Sequence, residues 1–224
     1  MIERLIEELR GHANPANVAG MARYGISSEG TLGVPVHVLR RIAKEAGRDH
    51  GLAEQLWRSG IHEGRILATL VDAPALVTSR QMDRWASDFD SWDVCDHACH
   101  NLFRYSPLAF AKAAQWAGAK REFVRRAGFS LMAGLAVKAK AATDEQFAAF
   151  LPLIAEAASD DRNMVKKAVN WALRGIGKRN RRLLKLAIAA GEEIREQESR
   201  SARWIAADAL RELRNPATIG RIKG

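Results

Sequence analysis

The chain has 224 residues, 47% of them hydrophobic, which suits one folded domain with a sizeable core. No stretch approaches the roughly 18 uninterrupted apolar residues of a membrane span. Residues 1–5 are charged and unlike a secretion signal, and the two cysteines, Cys95 and Cys99, fit a reducing compartment. We therefore expect a cytoplasmic protein with no membrane partner.

The positive charge is concentrated in the last third of the chain. Residues 161–224 carry 16 basic and 7 acidic side chains, whereas residues 1–160 carry 19 of each, so this third accounts for the whole net charge of +9. A localised surplus favours a nucleic-acid partner over another anionic surface or a merely solvated face.

The hydrophobic pattern predicts an all-α chain. Apolar residues recur at three-and-four spacing almost everywhere, and strand-like alternation is nearly absent. Turn signals divide the chain into about a dozen short helices. These signals are Asn14-Pro15, Gly33-Val34-Pro35, Ala73-Pro74, Ser106-Pro107, Ser159-Asp160-Asp161 and Asn215-Pro216. Residues 143–146 read as a capping box and residues 25–33 as a loop. No linker interrupts the chain, so we expect a single domain over residues 1–224.

A weak internal repeat indicates how the helices are arranged. The sequence Val-Arg-Arg-Ala at 124–127 returns 41 residues later as Val-Lys-Lys-Ala at 165–168. This period suits a helix-pair repeat of the HEAT type. We predict a HEAT-like solenoid with a concave basic face, and a compact helical bundle remains the alternative.

The helix predicted over residues 163–178 separates an apolar face from a basic one. At 100° per residue its buried face holds Val165, Ala168, Val169, Ala172, Leu173 and Ile176. The opposite stripe holds Lys167, Trp171, Arg174 and Lys178. A tryptophan among cations suggests a contact with a base or sugar, flanked by phosphate contacts. The alternative is that Trp171 packs against a neighbouring repeat.

The helix predicted over residues 121–138 also has an apolar stripe on one side and a cation on the other. Its core stripe is formed by Val124, Leu131, Met132 and Leu135. Arg126 points the other way, and its small neighbours Ser130 and Ala133 should leave it an open groove. An isolated arginine there would be an ordinary surface residue. It lies on the helix that corresponds, one repeat earlier, to the helix of Trp171, which makes it a candidate site residue.

Residues 91–100 place an indole beside a carboxylate. Trp92 and Asp96 are four residues apart and so share one helix face. Because a carboxylate on a DNA-facing surface repels phosphate, its presence there would indicate a catalytic role. The alternative is that Asp96 caps a helix or forms a salt bridge within the fold.

The same segment offers ligands for a metal, which we weigh and set aside. Cys95, His97, Cys99 and His100 are the candidates, but His97 projects away from both cysteines, and structural zinc normally recruits two ligand pairs from separate segments. We expect the cysteines to pack as small hydrophobic residues, with no metal. The motifs of nucleotide hydrolysis and nicotinamide chemistry are missing, so we expect no cofactor.

Taken together, these segments resemble the AlkD family of DNA-alkylation-repair proteins, which have all-helical HEAT-like folds. The matching stretches are Met21-Ala22-Arg23-Tyr24, Trp92-Asp93-x-x-Asp96, Arg126-Ala127 and Lys167-Ala168-x-x-Trp171-x-Leu173-Arg174. In this family two tryptophans, an aspartate and an arginine line the active cleft. The resemblance assigns these catalytic roles to Trp92, Trp171, Asp96 and Arg126.

Two departures from the family pattern are visible. The loop at 25–33 is rich in glycine and serine where the family often has aromatic residues. The lysine that commonly follows the arginine's helix aligns with Gly134, which leaves Lys138 or Lys140 as substitutes.

The resemblance implies excision of N3- or N7-alkylated purines from double-stranded DNA. We expect a monofunctional glycosylase, since no lysine is placed for a Schiff base, and a monomer, which would suffice for duplex DNA. The expected DNA contacts are Tyr24, Lys167, Arg174, Lys178, Arg179, Arg181 and Arg182. One alternative is a non-catalytic module that recognises bent, branched or damaged duplex by shape. Another is a helical-repeat adaptor for an acidic protein.

Overall fold

The computed structural model describes residues 1–222, which fall into two compact units, the first ending at Ser106 and the second beginning at Pro107. The first unit contains the helices α1 (Ile2–Gly11), α2 (Pro15–Ala22), α3 (Val36–Ala46), α4 (His50–Arg58), α5 (His62–Val71), α6 (Ser79–Ser87) and α7 (Trp92–His97). A π-helical turn, Ala98–Leu102, continues α7, and short 3-10 turns occupy Pro74–Leu76 and Phe103–Tyr105.

The second unit contains α8 (Ala109–Ala117), α9 (Glu122–Lys138), α10 (Asp144–Ala148), α11 (Leu151–Ala157), α12 (Asn163–Gly177), α13 (Arg181–Arg195), α14 (Arg200–Leu213) and α15 (Pro216–Ile219). Residues 1–222 contain no strand, so the prediction of an all-α chain is confirmed. Over the same residues, the structure has no helix whose length and apolarity would let it cross a membrane. That the whole chain forms one domain stays a prediction.

Capping side chains that the sequence provides begin several helices. The predicted capping box is present: the Thr143 hydroxyl accepts from the backbone N–H of Gln146, whose side chain accepts in return from the backbone N–H of Thr143, 3.0 Å away. Asn180 caps α13 and Ser199 caps α14 in the same side-chain-to-backbone manner. These caps satisfy N–H groups that have no partner inside the helix.

The first unit is built around α5, which packs against α3, α4 and α7 and is buried on almost every side. Stacked indoles strengthen this core, with the ring centroids of Trp57 and Trp85 4.0 Å apart and their planes 5° from parallel. Cys95 and Cys99 are both fully buried, which confirms that they pack in the core.

A buried carboxylate on α5 holds the predicted loop. The backbone N–H groups of Leu32, Gly33 and Val34 donate to Glu63 over 2.8, 2.6 and 3.1 Å. Residues 25–33 contain no helix, which confirms the loop. Gly33 has φ of +79°, and a Cβ there would lie 2.3 Å from the Asn14 carbonyl oxygen, so this position requires glycine.

The second unit is built around α9 and α12, which pack against each other, while α8 covers α9 and the pair α13 and α14 covers α12. The backbones of α8 and α9 meet at Gly128, where a Cβ would lie 2.6 Å from Ala117 N. Many side-chain hydrogen bonds in this unit join residues 34 to 43 positions apart, such as Lys178 to Glu212 and Arg179 to Ala136. This spacing agrees with a repeat of about 41 residues.

Candidate nucleic-acid interface

Helix α12 has the two faces that its sequence predicts. The six residues predicted for its apolar face are all fully buried. On the other side Lys167 and Lys178 are exposed, and Trp171 and Arg174 are half-buried. The predicted helix, residues 163–178, differs from the observed one by a single residue at its end. The periodic pattern therefore places an indole and three cations on the face of α12 that points away from the core.

Three of these side chains, Lys167, Trp171 and Arg174, line a groove between α12 and α14. Its volume is about 460 Å³, and it is lined by Arg126, Lys167, Asn170, Trp171, Arg174, Trp204 and Asp208. The groove brings together four of the residues singled out in the sequence, namely Arg126, Lys167, Trp171 and Arg174. Those four residues are thus neighbours in the second unit.

Arg126 requires a correction. The sequence led us to expect an open groove around it, but Arg126 is only 6% exposed, and its neighbours Ser130 and Ala133 are buried. Its Nη1 donates to the backbone carbonyl of Met164 over 2.7 Å. The physical reason is that α9 is covered both by α8 and by α12, so small residues admit a neighbouring helix instead of solvent. Arg126 reaches the groove as a buried lining residue.

Arg174 and Lys178 share one acidic partner on α14. The side chain of Glu212 accepts from Arg174 Nη1 over 2.7 Å and from Lys178 Nζ over 2.5 Å. Asp208 lies 3.5 Å from Arg174 Nη1 and accepts from Asn170 Nδ2 over 2.7 Å. Burial would raise the pKa of Glu212, but the hydrogen bonds and charges of Lys178 and Arg174 outweigh it and lower the pKa. Part of the positive charge on this face is thus neutralised within the protein.

Lys167 differs from these two cations. Its side chain is exposed, and it has no ion pair among residues 1–222. No acidic side chain of the described residues neutralises it at the groove.

The three arginines after α12 differ in their surroundings. Arg179 donates to the carbonyls of Ala136 and Ala139 and lies 3.9 Å from the ring centroid of Phe147, and burial lowers its pKa. This guanidinium already joins α12 to the end of α9 and to α10. Arg182 pairs with Glu145 over 2.6 Å, while Arg181 is exposed. Their roles as DNA contacts stay predictions.

In the first unit, Tyr24, Trp92 and Asp96 form a second group of predicted site residues. Trp92 Nε1 donates to the backbone carbonyl of Tyr24 over 3.0 Å, and the Tyr24 side chain is 73% exposed. Trp92 and Asp96 are half-buried, whereas residues 93–95 between them are buried, so the two share the outer face of α7 as predicted. Burial lowers the pKa of the adjacent His97, against the opposing charges of Asp93 and Asp96.

A buried pair that the sequence analysis missed fixes the start of α7. His62 Nε2 lies 2.8 Å from Asp93 Oδ2, and the two residues are 2% and 8% exposed. Burial would lower the pKa of His62, but its hydrogen bond to Asp93 and the charges of Asp93, Glu63 and Asp90 raise it overall. The pair ties α7, which carries Trp92 and Asp96, to the first turn of α5.

The two units differ in net charge. Residues 1–106 carry 12 basic and 14 acidic side chains, whereas residues 107–222 carry 22 basic and 12 acidic ones. The excess positive charge therefore belongs to the unit that contains the groove. That Asp96 lines one active cleft with Arg126 and Trp171, as the resemblance implies, stays a prediction, since Asp96 belongs to the first unit and the other two to the second.

Trp204 and Asn170 are groove residues that sequence reasoning missed. Trp204 is 42% exposed, and Lys166 Nζ lies 4.9 Å from its ring centroid. A signal was available: Trp204 precedes Asp208 by four residues, the same spacing as Trp92 and Asp96. No sequence pattern marked Asn170 as a groove residue, because nothing in its local sequence distinguishes it from an ordinary helix residue.

These features define a class of protein, a helical-repeat protein with a basic, tryptophan-containing groove in its second unit. A model of the family described as DNA alkylation repair enzyme matches residues 5–213. The chain belongs to this family, and the resemblance to AlkD is confirmed.

The fold has a counterpart among solved structures. A solved structure aligns with this chain at a TM-score of 0.77 and 18% identity, over 94% of each chain. It is described as a new family of proteins related to the HEAT-like repeat DNA glycosylases with affinity for branched DNA structures. This likeness confirms the HEAT-like fold. A designed armadillo repeat protein in complex with a (KR)4 peptide aligns with a TM-score of 0.40 and 13% identity, over 82% of this chain and 78% of that chain. A comparison with curated protein sequences gives no match.

Proposed function

We propose that the protein is a monofunctional DNA glycosylase that releases N3- or N7-alkylated purines from double-stranded DNA. The observation that carries this proposal is the groove of the second unit, in which Trp171 stands with Arg126, Lys167 and Arg174 in a member of the DNA alkylation repair enzyme family. Aromatic side chains beside cations suit a ligand made of bases and phosphates.

The chemistry requires little acid catalysis. Alkylation at N3 or N7 makes the purine cationic, so it departs with the electron pair of the N-glycosidic bond as a neutral base. Positive charge then develops on the sugar, water adds to C1′, and the water gives up a proton. The products are the free alkylated base and an abasic site. The protein must therefore stabilise a cation and position a water molecule.

The residues proposed for this task are a carboxylate and two indoles. The carboxylate of Asp96 would stabilise the developing charge on the sugar and accept the proton of the attacking water. The faces of Trp92 and Trp171 would favour the cationic base and sugar. Arg126 would hold a backbone phosphate near the lesion.

The remaining contacts would position the duplex. Lys167, Arg174 and Lys178 lie on the outer side of α12, and Arg181 and Arg182 begin α13. Cations such as these bind phosphates without regard to sequence and set the salt dependence of binding. Arg179 and the exposed Tyr24 are further proposed contacts. A monomer suffices for this arrangement, and no cofactor is required.

A second candidate function is non-catalytic binding of branched DNA. It is the affinity described for the solved structure that shares this fold. The basic unit and the aromatic groove would suit such binding as well as they suit catalysis. The carboxylate of Asp96 would then have no catalytic role.

The decisive experiment incubates the purified protein with methylated duplex DNA and measures free 3-methyladenine and 7-methylguanine by chromatography with mass detection. We expect both bases, or one of them, to accumulate above the spontaneous rate of the same DNA without protein. Unmethylated duplex is the control for release of normal bases. Binding of duplex or branched DNA with no release above the spontaneous rate would reject the glycosylase and support the second candidate.

A further inference from the structure

The groove between α12 and α14 has features that the contact with a regular duplex does not use. Its lining includes a second indole, Trp204, beside Trp171. The two tryptophans come from different helices that pack against each other. Trp204 is one of the few large apolar side chains of the second unit that solvent reaches, at 42% exposure. Its indole is therefore available at the groove for a ligand to stack on.

One face of this indole already carries a cation. Lys166 Nζ lies 4.9 Å from the ring centroid of Trp204, and Lys167 lines the same groove. A nucleotide whose base stacks on the exposed part of this ring would lie in the same groove as Lys167, and Lys166 stands beside the same ring. Stacking on an aromatic ring beside a cation is how proteins grip unpaired bases irrespective of sequence.

Two buried polar atoms of groove residues make no hydrogen bond within residues 1–222. Asn170 is 2% exposed, and its Oδ1 has no hydrogen-bond partner within residues 1–222; the same holds for Nε of Arg174. One atom is an acceptor and the other a donor, which is the combination that the edge of a nucleobase presents. The Asn170 amide is held in this orientation by its Nδ2, which donates to Asp208. After a small shift of these side chains, a ligand could donate a hydrogen bond to Asn170 Oδ1 and accept one from Arg174 Nε.

We propose that this groove binds an unpaired nucleotide of DNA, with its base stacked on Trp204 and its phosphate at Lys166 and Lys167. The proposal rests on the proposed function, because it assumes that DNA lies along the second unit. It adds a preference for DNA with an unpaired base, such as a bulge or a flap. In a paired duplex the bases stack on each other, and none is available to Trp204.

The test compares two unmethylated duplexes that differ only by one unpaired nucleotide in the middle of one strand. We expect the wild-type protein to bind the bulged duplex more tightly. Trp204→Ala should lower the ratio of the two dissociation constants by about ten-fold, a typical loss for one stacked base. Trp204→Phe should retain most of the ratio, since phenylalanine keeps an aromatic face.

Two further variants separate stacking from packing. Trp204→Leu keeps an apolar side chain without a π-face and should lower the ratio as Trp204→Ala does. Tyr105→Ala removes an aromatic side chain of similar exposure, 51%, from the first unit and should leave the ratio as in wild type. Equal affinity of the wild-type protein for the two duplexes, or a ratio that survives both Trp204→Ala and Trp204→Leu, would overturn the proposal. Release of methylated bases is measured on other DNA, so its absence would count against the glycosylase alone.

Discussion

The ammonium of Lys178 lies 2.5 Å from a carboxylate oxygen of Glu212, across the contact between α12 and α14. The same carboxylate accepts from Arg174. Two of the cations that we expect to bind phosphate are therefore partly neutralised before DNA arrives. DNA that binds these cations would compete with Glu212 for them, so we expect this carboxylate to lower the affinity for DNA.

Glu212→Gln should tighten binding to duplex DNA. Removing the negative charge releases Arg174 and Lys178 toward phosphate, and we expect a gain on the order of three-fold at low salt. The measurement is a titration by fluorescence anisotropy with labelled duplex. Glu196→Gln makes the same charge change at the exposed residue that follows α13 and serves as the control. Weaker binding by Glu212→Gln would contradict the prediction, as would equal gains in both variants.

Lys167→Ala should weaken binding to all duplex sequences and flatten its salt dependence. Because Lys167 is exposed at the groove and no acidic side chain of the described residues neutralises it, we expect it to neutralise one phosphate. Its loss should reduce the slope of log K against log salt by about 0.9. Lys185→Ala removes an exposed lysine from α13 for comparison. An unchanged slope in Lys167→Ala would remove this residue from the interface.

Asp96→Asn should abolish release of methylated purines while leaving DNA affinity intact or tighter. The amide keeps the size of the carboxylate but cannot stabilise a cationic sugar, and loss of one such electrostatic group commonly slows a reaction by about 100-fold or more. Single-turnover base release and duplex binding are measured on the same preparation. Release at the wild-type rate would show that the catalytic role assigned to Asp96 is wrong.

Gly128→Ala should destabilise the second unit. A Cβ at this position would lie 2.6 Å from Ala117 N and 2.9 Å from Trp116 C, so two helix backbones must move apart. We expect the free energy of unfolding in urea to fall by roughly 1–3 kcal/mol. Gly175→Ala is the matched control, since a Cβ there meets its nearest neighbour, Ala136 Cβ, at an ordinary 3.5 Å. In Gly175→Ala better helix propensity should offset the contact, and equal losses in the two variants would refute the explanation.

Stability should depend on pH through His62. Its pKa is raised in the folded state by Asp93 and nearby carboxylates, so the folded protein holds this proton more tightly than the unfolded chain does. The protonated pair therefore stabilises the fold fully below the unfolded pKa of about 6.5, and this stabilisation is lost as the pH rises through the higher folded-state pKa.

The measurement is the free energy of unfolding of the wild-type protein and of His62→Gln over a series of pH values. The difference between them should shrink as the pH rises above neutrality. Effects of groups that do not interact with His62 are common to both proteins and cancel in the difference. A difference that is constant or grows with pH would contradict the prediction.

The sequence by itself determined what depends on local spacing. The period of 3.6 residues placed the buried and outer faces of α12, and the Thr143–Gln146 pattern placed the start of α10, because a helix fixes the positions of its own side chains and the first turn needs a cap. The charge count likewise located the positive surplus in the last third of the chain, since charge depends on composition alone.

Tertiary structure decided everything that depends on which helices pack together. Glu212 neutralises Lys178, Asn170 meets Asp208, and Arg126 is covered by a neighbouring helix, and each of these contacts joins residues more than thirty positions apart. Helical periodicity states which way a side chain points but not which side chain of another repeat it meets. That choice follows from close packing between helices, and it made Trp204 part of a groove that the sequence pattern of α12 could not show.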